Sequence, residues 1–161
     1  MVTVGYITIL PKEQYLKAIE IYNDSEKGKG IGTKVLTYLV ENGIIDSLDV
    51  DRLNYDAQRL YIRLGFKPYQ LIWGSNDGNG NDRYVMIHTD KLNNYYVYYQ
   101  GDSHTTTYAD EDCILIANMK NGKVYFDVSI EDTVWEDLND LNIYYEDIEE
   151  MLYTMKEGRL Y

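Results

Sequence analysis

Residues Val2–Leu10 alternate apolar and polar side chains up to Pro11, and Tyr15–Tyr22 alternate again, which predicts two strands. In the second, Leu16, Ala18, Glu20 and Tyr22 fall on one face and Ile19 and Ile21 on the other. A glycine-rich turn, Glu26–Gly32, follows. Ile31, Val35, Leu36, Leu39 and Val40 then recur at helical spacing, with Gly43 as the stop. Ile44–Asp51 reads as a short strand. Asn54 is placed to cap a second helix, with Ala57, Leu60, Tyr61 and Leu64 on one face and Gly65 as its end. Two strands, Phe66–Trp73 and Arg83–Thr89, flank the Gly/Asn-rich loop Gly74–Asp82.

Beyond residue 90 the pattern changes. Asn94–Tyr99 is a tyrosine-rich strand. Cys113–Asn118 and Lys123–Ser129 flank Asn121-Gly122, the strongest short hairpin signal in the chain. Residues 132–157 are helical, as one or two helices, with Val134, Leu138, Leu141, Ile148, Leu152 and Met155 as the apolar stripe. The expected fold is therefore α/β: a mixed central sheet with flanking helices in residues 1–90, and an α+β extension in residues 91–161 packed upon it.

Composition narrows the function classes. The chain has 161 residues, 45% of them hydrophobic and 26% charged, enough for a core without disulfides. Its formal net charge is −12, and residues 127–161 alone account for −9 of it. Such a field repels nucleic acid. The single cysteine, Cys113, excludes an intrachain disulfide and suits a reducing compartment. No run approaches the roughly 20 apolar residues of a membrane helix, and the N-terminus lacks the basic region of a signal peptide. The expected location is the cytoplasm. The abundance of tyrosine (18) over proline (2) suits an AT-rich genome, a low-GC bacterium or its phage, in which case the location is the host cytoplasm. His88 and His104 share no ligand spacing with Cys113, so no metal site is expected.

The informative segment runs strand, glycine loop, helix, strand, helix, strand. A glycine loop leading into a helix aims several backbone N–H groups at one point, where the helix dipole adds partial positive charge. Lys27, Lys29 and Lys34 add charge of the same sign in an otherwise negative chain. This suits a phosphate or pyrophosphate. It is not a Walker loop, because no GK[ST] follows at the required spacing.

Gly28-Lys-Gly-Ile-Gly32-Thr-Lys-Val-Leu resembles the pyrophosphate loop of the GNAT superfamily of N-acetyltransferases. Asn54-Tyr-Asp-Ala57-Gln-Arg-Leu60-Tyr61-Ile-Arg-Leu-Gly65-Phe66 resembles that family's second signature, N-x-x-A-x-x-L-Y-x-x-x-G-F, in the family's order. The resemblance covers residues 2–89.

It implies acetyl-CoA, or another acyl-CoA, as acyl donor and an amine as acceptor. Backbone N–H groups of Lys27, Gly28, Lys29, Gly30, Ile31, Gly32 and Thr33 would take the pyrophosphate. The strand ending in Ile21 and Tyr22 would splay from its neighbour, bond the pantetheine arm and stabilise the oxyanion. Tyr61 matches the tyrosine that protonates the departing thiolate. Asn54 matches a cofactor-contacting position as well as a helix cap. Glu20 lies where many members carry a catalytic carboxylate, and is the expected general base ahead of Asp24. Homodimers are common in the family.

Two departures are expected to matter. Ser25 stands where the family opens its loop with glutamine or arginine. Only about 15 residues precede the cofactor strand, so the helices that usually wall the acceptor have no room, while about 70 residues follow the core. The alternative to an enzyme is a non-catalytic protein of the same shape that blocks a host defence or DNA-binding protein through its acidic, DNA-mimicking C-terminal surface. In either case the expected partner is an amine acceptor or a basic protein, with no direct nucleic acid and no membrane contact.

Overall fold

The computed structural model describes residues 5–21, 30–74, 82–100 and 113–158. Tyr22, Ser25, Lys27, Gly28, Lys29 and His104 lie outside them. One mixed eight-stranded sheet runs through the chain. The strands are β1 (Gly5–Leu10), β2 (Tyr15–Ile21), β3 (Ser47–Asp51), β4 (Phe66–Trp73), β5 (Arg83–His88), β6 (Asn94–Tyr99), β7 (Ile114–Lys120) and β8 (Lys123–Phe126). Their spatial order is β1-β2-β3-β5-β4-β6-β7-β8. The pairs β2·β3 and β4·β6 are parallel and the other pairs antiparallel. The helices are α1 (Ile31–Glu41), α2 (Tyr55–Arg63), α3 (Asp132–Asp140) and α4 (Tyr145–Lys156).

Local chemistry explains the boundaries. Asn54 Oδ1 accepts from Ala57 N at 3.2 Å and starts α2. Asp56 in the first turn and Arg63 in the last complement the helix dipole. Asn42 Nδ2 donates to Tyr38 O at 2.8 Å and closes α1, and Gly43 follows at φ 67°. Asn121 and Gly122 both have positive φ, as a tight hairpin between β7 and β8 requires. Tyr144 N donates to Asp147 Oδ2 at 2.8 Å and starts α4.

The core is one-sided. Leu48 and Val50 of β3, Leu71 and Trp73 of β4, Tyr84 and Met86 of β5, and Val97 and Tyr99 of β6 join Leu36, Leu39 and Tyr61 of the first two helices. Leu138, Ile148, Leu152 and Met155 of the last two helices belong to the same cluster. Leu141 does not fill the place its spacing suggested. It caps α3 and is exposed, and Ile143, beyond the turn, is buried instead. Tyr15, Ile72 and Val85 are buried outside this cluster. Alternation along the strands turns them to the opposite face.

The face assignment in β2 is corrected. Ile9 pairs with Leu16 but Thr8 pairs with Ala18, so Lys17 is an extra residue. A bulge of this kind reverses which face the following side chains take. Leu16 therefore faces the helices together with Ile19, which packs on the core. Ala18 and Glu20 face the other way, beside Tyr15. Glu20 and Leu16 do not share a face. No helix among the described residues is long and apolar enough to cross a membrane.

Candidate active site

The site is built where two parallel strands part. Gln14 O accepts from Asp46 N at 2.7 Å and Ser47 N at 3.2 Å, tying the start of β3 to the start of β2. Tyr15 pairs with Ser47 and Leu16 with Leu48, and there the pairing ends. β2 continues to Ile21 paired only with β1, and β3 continues to Asp51 paired only with β5. From Lys17 and Asp49 onward the facing backbone edges have no partner in each other. A parallel pair that stops early in the middle of a sheet leaves peptide groups for an extended ligand to bond.

The helix α1 begins beyond the far end of β2. Its N-cap, Gly30, is left-handed at φ 79°, and its first turn has no acidic residue and, among the described residues, no side-chain cap. Among the described residues, a Cβ added to Gly30 or Gly32 would meet nothing within 4 Å. Space and uncapped N–H groups at Ile31, Gly32 and Thr33 fit a phosphate. Lys27, Gly28 and Lys29 belong to the part of the loop outside the described residues, as does Tyr22 of the pantetheine strand.

Tyr61 of α2 is 7% exposed and lies edge-on to Phe66. Among the described residues its hydroxyl has no hydrogen-bond partner. Burial, and then the charge of Asp49, push the phenol above its ordinary range, so it is held protonated. Asn54 is exposed, with its side chain engaged as the cap of α2. Asn54→Ala is expected to cost about 1 kcal/mol; a urea midpoint identical to wild type would remove the capping role. Glu20 is exposed and borders a hollow of about 210 Å³ with Tyr6, Ile19, Ile31 and Val35. Two further hollows, of about 380 and 270 Å³, flank Arg52 beneath α4. Cys113, expected as a buried strand residue, is half-buried just before β7. Among the described residues no group of His, Cys, Asp and Glu has metal-site geometry.

Sequence reasoning missed a polar cluster beside the gap. Asp49, the first β3 residue past the last β2 pair, has a carboxylate 3.5 Å from Arg83 Nε. Tyr15 of β2 hydrogen-bonds it. Arg83 Nη1 donates to Gln100 Oε1 at 2.9 Å. Burial outweighs these partners and raises the carboxyl to about 6. The available signal was an acidic residue inside Ser47–Asp51, but alternation alone reads it as a solvated position.

Strand β2, helix α1, strand β3, helix α2 and strand β4 occur in the order the two motifs implied, and β2 parts from its parallel neighbour β3. Among solved structures, the chain is similar to the microcin C7 self-immunity acetyltransferase MccE in complex with acetyl-CoA and AMP. That likeness has 17% identity, a TM-score of 0.42 and 52% of each chain covered. It is also similar to nourseothricin acetyltransferase, with 20% identity, a TM-score of 0.37, and 52% of this chain and 56% of that one covered. The chain thus spans about half the length of these two proteins. No protein-family model and no curated protein matches it.

Proposed function

We propose that the chain is an acetyl-CoA-dependent N-acetyltransferase that acts on an amine by direct attack on the thioester. The observation that carries this reading is the end of the β2·β3 ladder after Leu16, with the open, uncapped start of α1 beyond β2. In this reading the amides of Gly30, Ile31, Gly32 and Thr33, with Lys27, Gly28 and Lys29 before them, bind the pyrophosphate. The free edge of β2 up to Ile21 and Tyr22 bonds the pantetheine arm and offers N–H groups to the oxyanion. Tyr61 gives its proton to the departing sulfur. Asn54 positions α2, which carries Tyr61.

Acetyl-CoA is expected to raise the melting temperature of the wild type, and Gly30→Glu is expected to abolish that shift. The substitution places a carboxylate where the phosphate charge would sit and a Cβ at φ 79°. A wild type that acetyl-CoA leaves unchanged would remove the transferase reading.

The acidic surface supports a second reading. Glu136, Asp140, Glu146, Glu149 and Glu150 of α3 and α4 are exposed, together with Tyr144, Tyr145 and Tyr153. Carboxylates interleaved with accessible aromatics suit a basic protein partner held without catalysis. This reading expects salt-sensitive capture of a basic DNA-binding protein by a chain that does not bind acetyl-CoA.

A further inference from the structure

We propose that Asp49 accepts the proton which the acceptor amine loses, with Arg83, Gln100 and Tyr15 as the residues that position it. The assignment rests on the acyl-transfer reading above and replaces Glu20 in the role of base.

Asp49 is the first residue of β3 after Leu48, the last to pair with β2. It therefore stands at the mouth of the gap. Its side chain points away from the helix-covered face, because Leu48 and Val50 on either side belong to the core. Yet its side chain is only 17% exposed and Arg83 only 10%. A carboxylate so enclosed is held by specific partners on two neighbouring strands. Tyr15 bonds it from β2, Arg83 lies 3.5 Å away on β5, and the charge of Asp49 is felt by Tyr61 on α2. Arg83 is itself fixed by Gln100 just past β6. The charge of Asp49 is thus felt by the Tyr61 phenol from the opposite face of the sheet.

Glu20 shares the face of Asp49 through the β2 bulge, but it is exposed and its solvent competes for the proton. Burial makes Asp49 a stronger base than a solvated aspartate, with its midpoint about 6, while leaving it ionised at pH 7.5.

The step balances. The acceptor ammonium first gives one proton to bulk water; as the neutral amine nitrogen then bonds to the thioester carbon, Asp49 takes the second proton from that nitrogen. The carbon–sulfur bond breaks, its electron pair leaves on sulfur, and Tyr61 supplies the proton that makes the thiol. The proton on Asp49 returns to Tyr61 through solvent, so no charge accumulates.

The charged and phenolic groups around Asp49 are Tyr15 from β2, Arg83 from β5 and Asp51 two residues along β3, with Tyr61 of α2 sensing its charge from across the sheet. Thiol release should show a limb near pH 6 as Asp49 loses its proton, superimposed on the steady rise that deprotonation of the acceptor amine gives in wild type and variants alike. The test uses the full chain with spermine and with a lysine-containing peptide as acceptors. Thiol release is followed from pH 5 to 8, and the acetyl-CoA thermal shift is recorded in parallel. Asp49→Asn is expected to lose roughly 100-fold in turnover and the limb near pH 6, while the acetyl-CoA shift stays at its wild-type size. Asp49→Glu, which restores a carboxylate, should recover part of the rate and the limb.

Equal thiol release by wild type and Asp49→Asn, whether fast or absent, overturns the assignment. So does a limb that disappears in Glu20→Gln and persists in Asp49→Asn. A missing acetyl-CoA shift in the wild type instead removes the acyl-transfer reading itself, and the two failures are told apart by that one measurement. Should Asp49→Asn fail to melt as a folded protein, Asp49→Glu decides, since wild-type turnover with an unmoved limb in that variant contradicts a positioned base.

Discussion

Gly65→Ala should lower the unfolding free energy by about 2–4 kcal/mol, the largest stability loss expected for any single methyl group in the core. Gly65 ends α2 at φ 100°, where an L side chain is strained whatever space surrounds it. Space is also absent. A Cβ there would lie 2.8 Å from His88 Nε2. His88 is held in place, because its Nε2 bonds Leu64 O at 2.9 Å and its ring meets Phe66 edge-on, with centroids 5.2 Å apart. Moving the imidazole away breaks both contacts, next to the Phe66–Tyr61 pair that orients the proposed acid. Urea unfolding checks the value. The double variant with His88→Ala should recover the steric part and leave the backbone part, so its loss should be smaller than that of Gly65→Ala. A single variant as stable as wild type would show that neither strain nor contact operates there.

Tyr61→Phe should reduce turnover by about 100-fold and leave acetyl-CoA binding and stability near wild type. The ring fills the same core space, and among the described residues the hydroxyl bonds no protein group, so its removal exposes no orphaned partner. What disappears is a proton held ready at neutral pH. The phenol is raised by burial and by Asp49, so it remains protonated at neutral pH and can donate to the thiolate as that charge develops beside it. Steady-state thiol release with wild-type and variant chains, at saturating acetyl-CoA, reads the effect. Equal kcat values would end the role of the hydroxyl. A weakened acetyl-CoA thermal shift in the variant would instead mean that Tyr61 holds the donor in place.

The left-handed start of α1 at Gly30 and the Asn54 cap were readable because each depends on residues close in the chain. Left-handed backbone at Gly30 and Gly65, the cap at Asn54 and the turn at Asn121-Gly122 are local solutions to local strain. Glycine and asparagine announce them without help from distant residues. Helix periodicity in Ile31–Val40 and around Tyr61 is local for the same reason, and it correctly turned Leu36, Leu39 and Tyr61 inward.

The side of the sheet on which Glu20 lies was not readable, since one extra residue, Lys17, in a register between two strands reverses it. The character of Asp49 was not readable either. In Ser47–Asp51 an acid at every second place looks like the wet edge of a strand. It is the arrival of Tyr15, Arg83 and Gln100, residues 34 positions before it and 34 and 51 after it, that removes the water. Local conformational preference is written residue by residue. Register and burial are sums over partners far apart in the chain, and desolvation, which raises the Asp49 carboxyl, exists only once those partners have met.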